Sequence, residues 1–256
     1  MRLKTFFDLL VFKTGASLRT EIAHYYVNYL WWVFTPLSSM LVYYLVFGTF
    51  LNRGTPNFVA FLLCGVTSWQ WFASTVNNAS GSILGGKGLM LQVNIPKVFF
   101  PLEVLLRDSF KHSFVVTLLL VFLVFYPTPI TVSWLALPVL LAVQFTVNAG
   151  FALLCAAVVP FIPDIKVIIA TCINLAFFGS GIFFSIDQVI LPKHQHIIYL
   201  NPMAGLIKNY RQVLLHGQWP DWSYLGYSLT VGVVLSLIGA WVIFSFDHIY
   251  PKACQK

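Results

Sequence analysis

Charged side chains vanish between residues 113 and 163, where no Asp, Glu, Lys or Arg interrupts the apolar pattern. A membrane-spanning helix needs about 20 apolar residues, so this run is too long for one crossing and sufficient for two. The turn between them falls at Tyr126-Pro127-Thr128-Pro129, where two prolines in close succession cannot continue a helix. Reading uncharged windows in the same way predicts six spans, at about 28–51, 57–84, 104–126 (with 112 as an alternative start), 132–161, 167–186 and 223–246. The predicted fold class is all-α: a single polytopic transmembrane domain over residues 1–256, with both termini on one side.

Three segments outside the spans carry further pattern. In residues 1–27, Leu3, Phe6, Phe7, Leu10 and Val11 follow helical spacing, with Arg2, Lys4, Asp8 and Lys13 around the other side. This predicts an amphipathic helix lying along the inner membrane surface and ending near Gly15. Charged and apolar residues interleave there instead of forming blocks, which argues against a signal peptide. The inner loop 85–103 predicts a short helix over Leu89, Met90, Leu91, Gln92 and Val93, then a proline-bounded basic and aromatic stretch, Pro96-Lys97-Val98-Phe99-Phe100-Pro101. Glu103 and Arg107 stand four apart, the favourable order for an ion pair on the inner end of the third span. In the outer segment 187–222, the apolar stretch 197–207 is too short to cross and is broken at Asn201-Pro202. It reads as two half-helices dipping back into the membrane and meeting near Asn201, Pro202 and Met203.

Charged residues make up 9% of the chain, against about 25% in a soluble domain. Of the 15 Lys and Arg, eleven fall on the side of the N-terminus and four (Arg53, Lys193, Lys208, Arg211) on the other. That bias places both termini in the cytoplasm. The cysteines at 64, 155, 172 and 254 show no metal or disulfide spacing. The sequence from Gly81 to Gly88 approaches a phosphate-binding loop but ends in glycine where a hydroxyl must hold magnesium, and no strand precedes it. His194 and His196 lack neighbouring acidic ligands and read as an interfacial pair. No charged residue falls near the middle of a predicted span, so transport energy has to arrive from outside this chain.

Aromatic residues reach 17%. Trp31, Trp32 and Phe34 open the first span, with Tyr43, Phe47 and Phe50 further out. Trp69, Trp71 and Phe72 lie in the second, and Phe177, Phe178, Phe183 and Phe184 in or near the end of the fifth. Two readings stay open: interfacial belt and lipid-facing surface, or a conduit whose ring faces suit sugar C–H groups and tolerate sliding.

Four segments resemble the membrane subunits (permeases) of type-2 ABC exporters for lipid-linked polysaccharides: Tyr29-Leu30-Trp31-Trp32-Val33-Phe34-Thr35-Pro36, the loop from Val93 to Glu103, Pro163-Asp164-Ile165, and Leu200-Asn201-Pro202-Met203. Pro163 stands where members often carry Arg, and Tyr29-Leu30 where a Leu-Gly pair is common. The resemblance implies a homodimer forming one channel, with two separate ATPase subunits that bind ATP and Mg. It implies no cofactor, metal or catalytic residue in this chain. Coupling to the ATPases would use Leu3, Phe6, Phe7, Leu10, Leu89, Met90, Leu91, Gln92, Val93, Lys97, Glu103, Arg107 and Asp164. The path would be lined by Trp31, Trp32, Phe34, Tyr43, Phe47, Phe50, Phe177, Phe178 and Phe184, and the outer gate formed by Asn201, Pro202 and Met203. The implied cargo is an undecaprenyl-linked polysaccharide crossing the bacterial cytoplasmic membrane, O-antigen first, with capsule or teichoic acid as alternatives. A membrane-embedded glycosyl- or acyltransferase is the competing class and needs a polar catalytic cluster at membrane depth.

Overall fold

The computed structural model describes residues 3–24, 34, 37–38, 41–42, 44–50, 57–126 and 128–254, and all regular structure among them is helical. Helix α1 (Leu3–His24) runs straight through Gly15, past the end that the pattern predicts. A glycine inside a helix costs only about 1 kcal/mol, and Thr14 and Leu18 on either side of it are buried. Half of the first predicted span lies outside the described residues; its described end is a π-helical stretch, Tyr44–Phe50. Helix α2 (Phe58–Ser80) is followed by two short helices, Ser82–Gly85 and Lys87–Gln92.

Helix α3 (Phe99–Phe125) begins earlier than the apolar pattern suggests. Pro101 stands in its first turn, where a missing N–H forfeits no helical bond. Glu103, Arg107, Asp108 and Lys111 therefore all belong to one helix. After the proline turn, a 3-10 turn Val132–Ala136 leads into α4 (Leu137–Val158). Helix α5 (Ile165–Gly179) has 15 residues and ends well before the predicted 186. At 1.5 Å per residue that is about 22 Å. Beyond it the backbone turns through Gly181, whose φ of 70° lies in the left-handed region open to glycine. Helices α6 (Pro192–Tyr199), α7 (Pro202–Leu214) and α8 (Trp222–Ser245) follow, then a last turn, Tyr250–Ala253.

Among the described residues, four helical stretches are long and apolar enough to cross a membrane: α2, α3, the 3-10 turn with α4, and α8. Of their most apolar stretches α2 buries 78%, whereas α3 and α8 bury 22%. Helix α2 is thus the central helix, and the other two turn apolar side chains outward, as lipid-facing helices do. Helix α8 packs along α4 through glycine. A Cβ at Gly232 would stand 2.7 Å from Val147 N, and one at Gly239 would stand 2.7 Å from Leu154 N. Small residues that let two backbones approach are the usual solution where lipid supplies no hydrophobic drive between helices.

Candidate functional site

At the end of the helical array that holds the N-terminal helix, α1, the loop after α2 and the last turn share one apolar core. Leu10, Ile83, Met90, Ile95, Val98, Phe99 and Phe100 cluster with Tyr250 and Cys254. Phe6 meets Phe99 edge-on at 5.9 Å between ring centroids. The buried face of α1 is therefore the row of Leu10, Thr14 and Leu18, with Phe6 half-buried, while Phe7 and Val11 are exposed. Leu91, Gln92 and Val93 are exposed too, and Leu89 is half-buried. The side chain of Leu3 lies outside the described residues. Tyr250 donates its hydroxyl to Ala157 O at 2.9 Å; burial above all, then the charge of Asp247, pushes that phenol up to about 12.

Lys97 is not a surface cation. Its ammonium donates to Asp247 Oδ2 at 2.9 Å and its backbone N–H to Asp247 Oδ1 at 2.9 Å. The loop is thereby tied to the residue that follows the last span. Asp164 is exposed at the start of α5.

Glu103 and Arg107 do not form the predicted ion pair. Arg107 approaches Glu21 of α1 at 3.4 Å and Asp108 at 3.5 Å, and Lys111 reaches the same two carboxylates. Asp108 also accepts from Asn78 Nδ2 of α2 at 2.9 Å. Because α1 continues past Gly15, it brings Glu21 to Arg107 and Lys111, and a carboxylate on a separate helix outcompetes the local one. The result is a charged link that joins α1, α2 and α3.

Away from that core, α6 and α7 meet at Asn201. Its Oδ1 accepts from Met203 N at 3.0 Å, capping α7, and Pro202 occupies the first turn. Asn201 Nδ2 donates to Ser180 Oγ at 2.8 Å, just beyond α5. Tyr224 closes the junction from α8: its ring lies over Gly205, and its hydroxyl is within 2.8 Å of the carbonyls of Tyr199 and Asn201. Tyr227 donates to Leu200 O. Arg211 is 6% exposed and donates to Phe61 O (3.2 Å), Gly181 O (2.7 Å) and Ile182 O (2.8 Å), with its guanidinium over the Phe61 ring. Asp187 accepts from Lys208 and from Tyr199. Partial burial would raise its carboxyl, but these two partners outweigh it and hold it below its ordinary value.

Of the aromatic residues proposed for the path, Trp31, Trp32 and Tyr43 lie outside the described residues, as does the side chain of Phe47. Phe34, Phe50 and Phe178 are exposed. Phe177 and Phe184 are half-buried, and Phe177 packs on Trp69 at 6.0 Å. Sequence reasoning did not single out Glu21, Tyr224, Tyr227, Asp247 or the buried state of Arg211. Two signals were available. Arg211 shares a helical face with Ile207 and Leu214, both buried, and Asp247 is the first charged residue after a long uncharged helix.

The matching family model is described as "ABC-2 type transporter" and covers residues 14–215. A Klebsiella pneumoniae protein named O-antigen export system permease protein RfbA is 26% identical over 234 residues, covering 91% of this chain and 90% of the relative. The protein of the same name from Myxococcus xanthus is 25% identical over 228 residues, covering 89% and 88%. The family match extends from within α1 to just past α7, taking in both ends of the helical array, and the chain belongs to the ABC-2 type transporter family.

Proposed function

We propose that this chain is the channel-forming permease of an exporter that moves undecaprenyl-linked O-antigen polysaccharide across the bacterial cytoplasmic membrane. Family membership makes it a membrane-embedded transporter subunit, not an enzyme, and implies a separate ATP-binding subunit. The observation that carries the cargo is likeness along nine-tenths of the chain to relatives named for O-antigen export.

In this reading two copies form one channel and two ATPases dock beneath it. The exposed Phe7, Val11, Leu91 and Val93 present the docking surface, and the link from Glu21 to Arg107 and Lys111 passes motion into α3. The chain spans six times with both termini inside. The short α5, and α6 and α7 joined at Asn201, form an outer re-entrant gate, with Tyr224 and Arg211 bracing it. Residues 28–51 and α5 line the path.

The test is complementation. In a strain whose O-antigen permease gene is deleted, this chain co-expressed with its neighbouring ATPase should restore surface polysaccharide. Restoration of capsule or teichoic acid alone would change the cargo, and correct membrane insertion beside the ATPase without export of any polymer would refute the reading.

A further inference from the structure

A cavity of about 380 Å³ lies between α1, the two short helices after α2 and the first turns of α3, with Lys13, Ser82, Gly88, Glu103 and Arg107 in its wall. That volume is in the range of small-molecule pockets, about 300–1,000 Å³. Glu103 is only 8% exposed, its Oε1 has no hydrogen-bond partner, and no ion pair reaches its carboxylate among the described residues. Ser82 Oγ, in the same wall, is also buried without a partner. A buried carboxylate without a counter-charge is strongly unfavourable, so this one points to a ligand that brings positive charge and N–H donors.

The cations already present do not serve it. Arg107 and Lys111 are held by Glu21 and Asp108. Lys13 is exposed and has no ion-pair partner among the described residues, which leaves it for an anionic group on the same ligand. A metal ion would meet a single carboxylate with two cations in the same wall, and a purely anionic head would leave Glu103 unpaired. An ammonium joined to a phosphate satisfies both ends, with N–H donors for the acceptors and oxygens for the lysine.

The depth of the cavity indicates the source of such a group. About 20 residues cross the hydrocarbon core, so a core that begins with α2 at Phe58 ends near Asn78. Asn78 is bonded there to Asp108. Glu103 stands five positions nearer the start of α3 (108 − 103), about 7.5 Å of helix. The headgroup layer beyond the core is about 5–7.5 Å thick on each face. Glu103 is therefore level with lipid headgroups.

We propose that this cavity binds the head of phosphatidylethanolamine from the leaflet on the side of α1, the ammonium at Glu103 and Ser82 and the phosphate at Lys13. The site needs only a membrane-embedded chain, whichever polymer is exported.

The permease with its ATPase subunits, in nanodiscs of phosphatidylcholine, is titrated with phosphatidylethanolamine, phosphatidylglycerol or soluble phosphoethanolamine, and bound species are counted by native mass spectrometry. Phosphatidylethanolamine should be retained about tenfold better than the other two lipids, because neither of their heads has an N–H to donate. Glu103→Gln, which removes the charge and keeps the shape, should weaken that binding about tenfold. A Cβ at Gly88 would meet nothing within 4 Å, so Gly88→Leu should fill the cavity and weaken binding as much, while favouring the short helix that holds it. Should Gly88→Leu not assemble, Glu103→Gln decides alone. Equal retention of phosphatidylglycerol or phosphatidylcholine, unchanged binding in both variants, or binding of phosphoethanolamine alone would each overturn the site. So would loss of the ATPase from Glu103→Gln when the parent shows no lipid preference, since the carboxylate would then serve a protein partner. Polymer export is scored separately in cells: export without this lipid preference removes the site and leaves the transporter reading intact, whereas lipid binding without export removes only the exporter reading.

Discussion

Asp247→Asn should destabilise the protein more than Lys97→Met, although both break the same ion pair. The Lys97 side chain is 5% exposed and that of Asp247 31%. Asparagine keeps an oxygen for the Lys97 backbone N–H but leaves the ammonium buried without a counter-charge. Breaking a fully buried pair costs about 3–5 kcal/mol; allowing for the exposure of Asp247, about 2–3 kcal/mol is expected. Lys97→Met leaves a carboxylate that water and the retained backbone N–H still stabilise, at a cost of about 1 kcal/mol. The double variant removes the stranded charge and should recover to within about 1 kcal/mol of the parent, a coupling that only contacting residues show. Reversible unfolding in mixed micelles, followed by near-ultraviolet dichroism, measures all four proteins. If Asp247→Asn proved no less stable than Lys97→Met, or the double variant no better than Asp247→Asn, the buried tie between loop and terminus would be wrong.

Gly232→Leu places carbon against the backbone of Val147, which cannot move aside, and should cost at least the 1–3 kcal/mol typical of overpacking; size-exclusion profiles and thermal midpoints in detergent measure it. Tyr224→Phe keeps the ring over Gly205 but removes the hydroxyl from the carbonyls of Tyr199 and Asn201, a loss of about 1–2 kcal/mol that faster amide exchange in α6 and the first turn of α7 would register, with α2 unchanged. Asp187 has a lowered folded-state pKa, so the stability that it contributes is present above the ordinary carboxylate value near 4 and is lost as pH falls through its own lower value. Tryptophan fluorescence should accordingly report loosening of the outer segment in acid for the parent, and no such transition at that site for Asp187→Asn.

The sequence by itself determined what depends on neighbours in the chain. Uncharged length marked where four membrane-length helices lie, because burying a backbone in lipid demands helix and about 20 apolar positions, but it missed the charged first turns of α3, which begins at Phe99. Asn201-Pro202 marked the α6–α7 junction because both the cap and the proline act within one turn. Packing decided the rest. Lys97 finds Asp247 and Arg211 finds Phe61, each across 150 positions. Arg107 turns from its neighbour Glu103 to Glu21 because α1 does not stop at Gly15. Arg211 enters a charge count as an outer cation, yet it is buried among carbonyls of two other elements. Local periodicity fixes which segments are helical; which partner satisfies a buried charge depends on how those helices pack, and that information is not local.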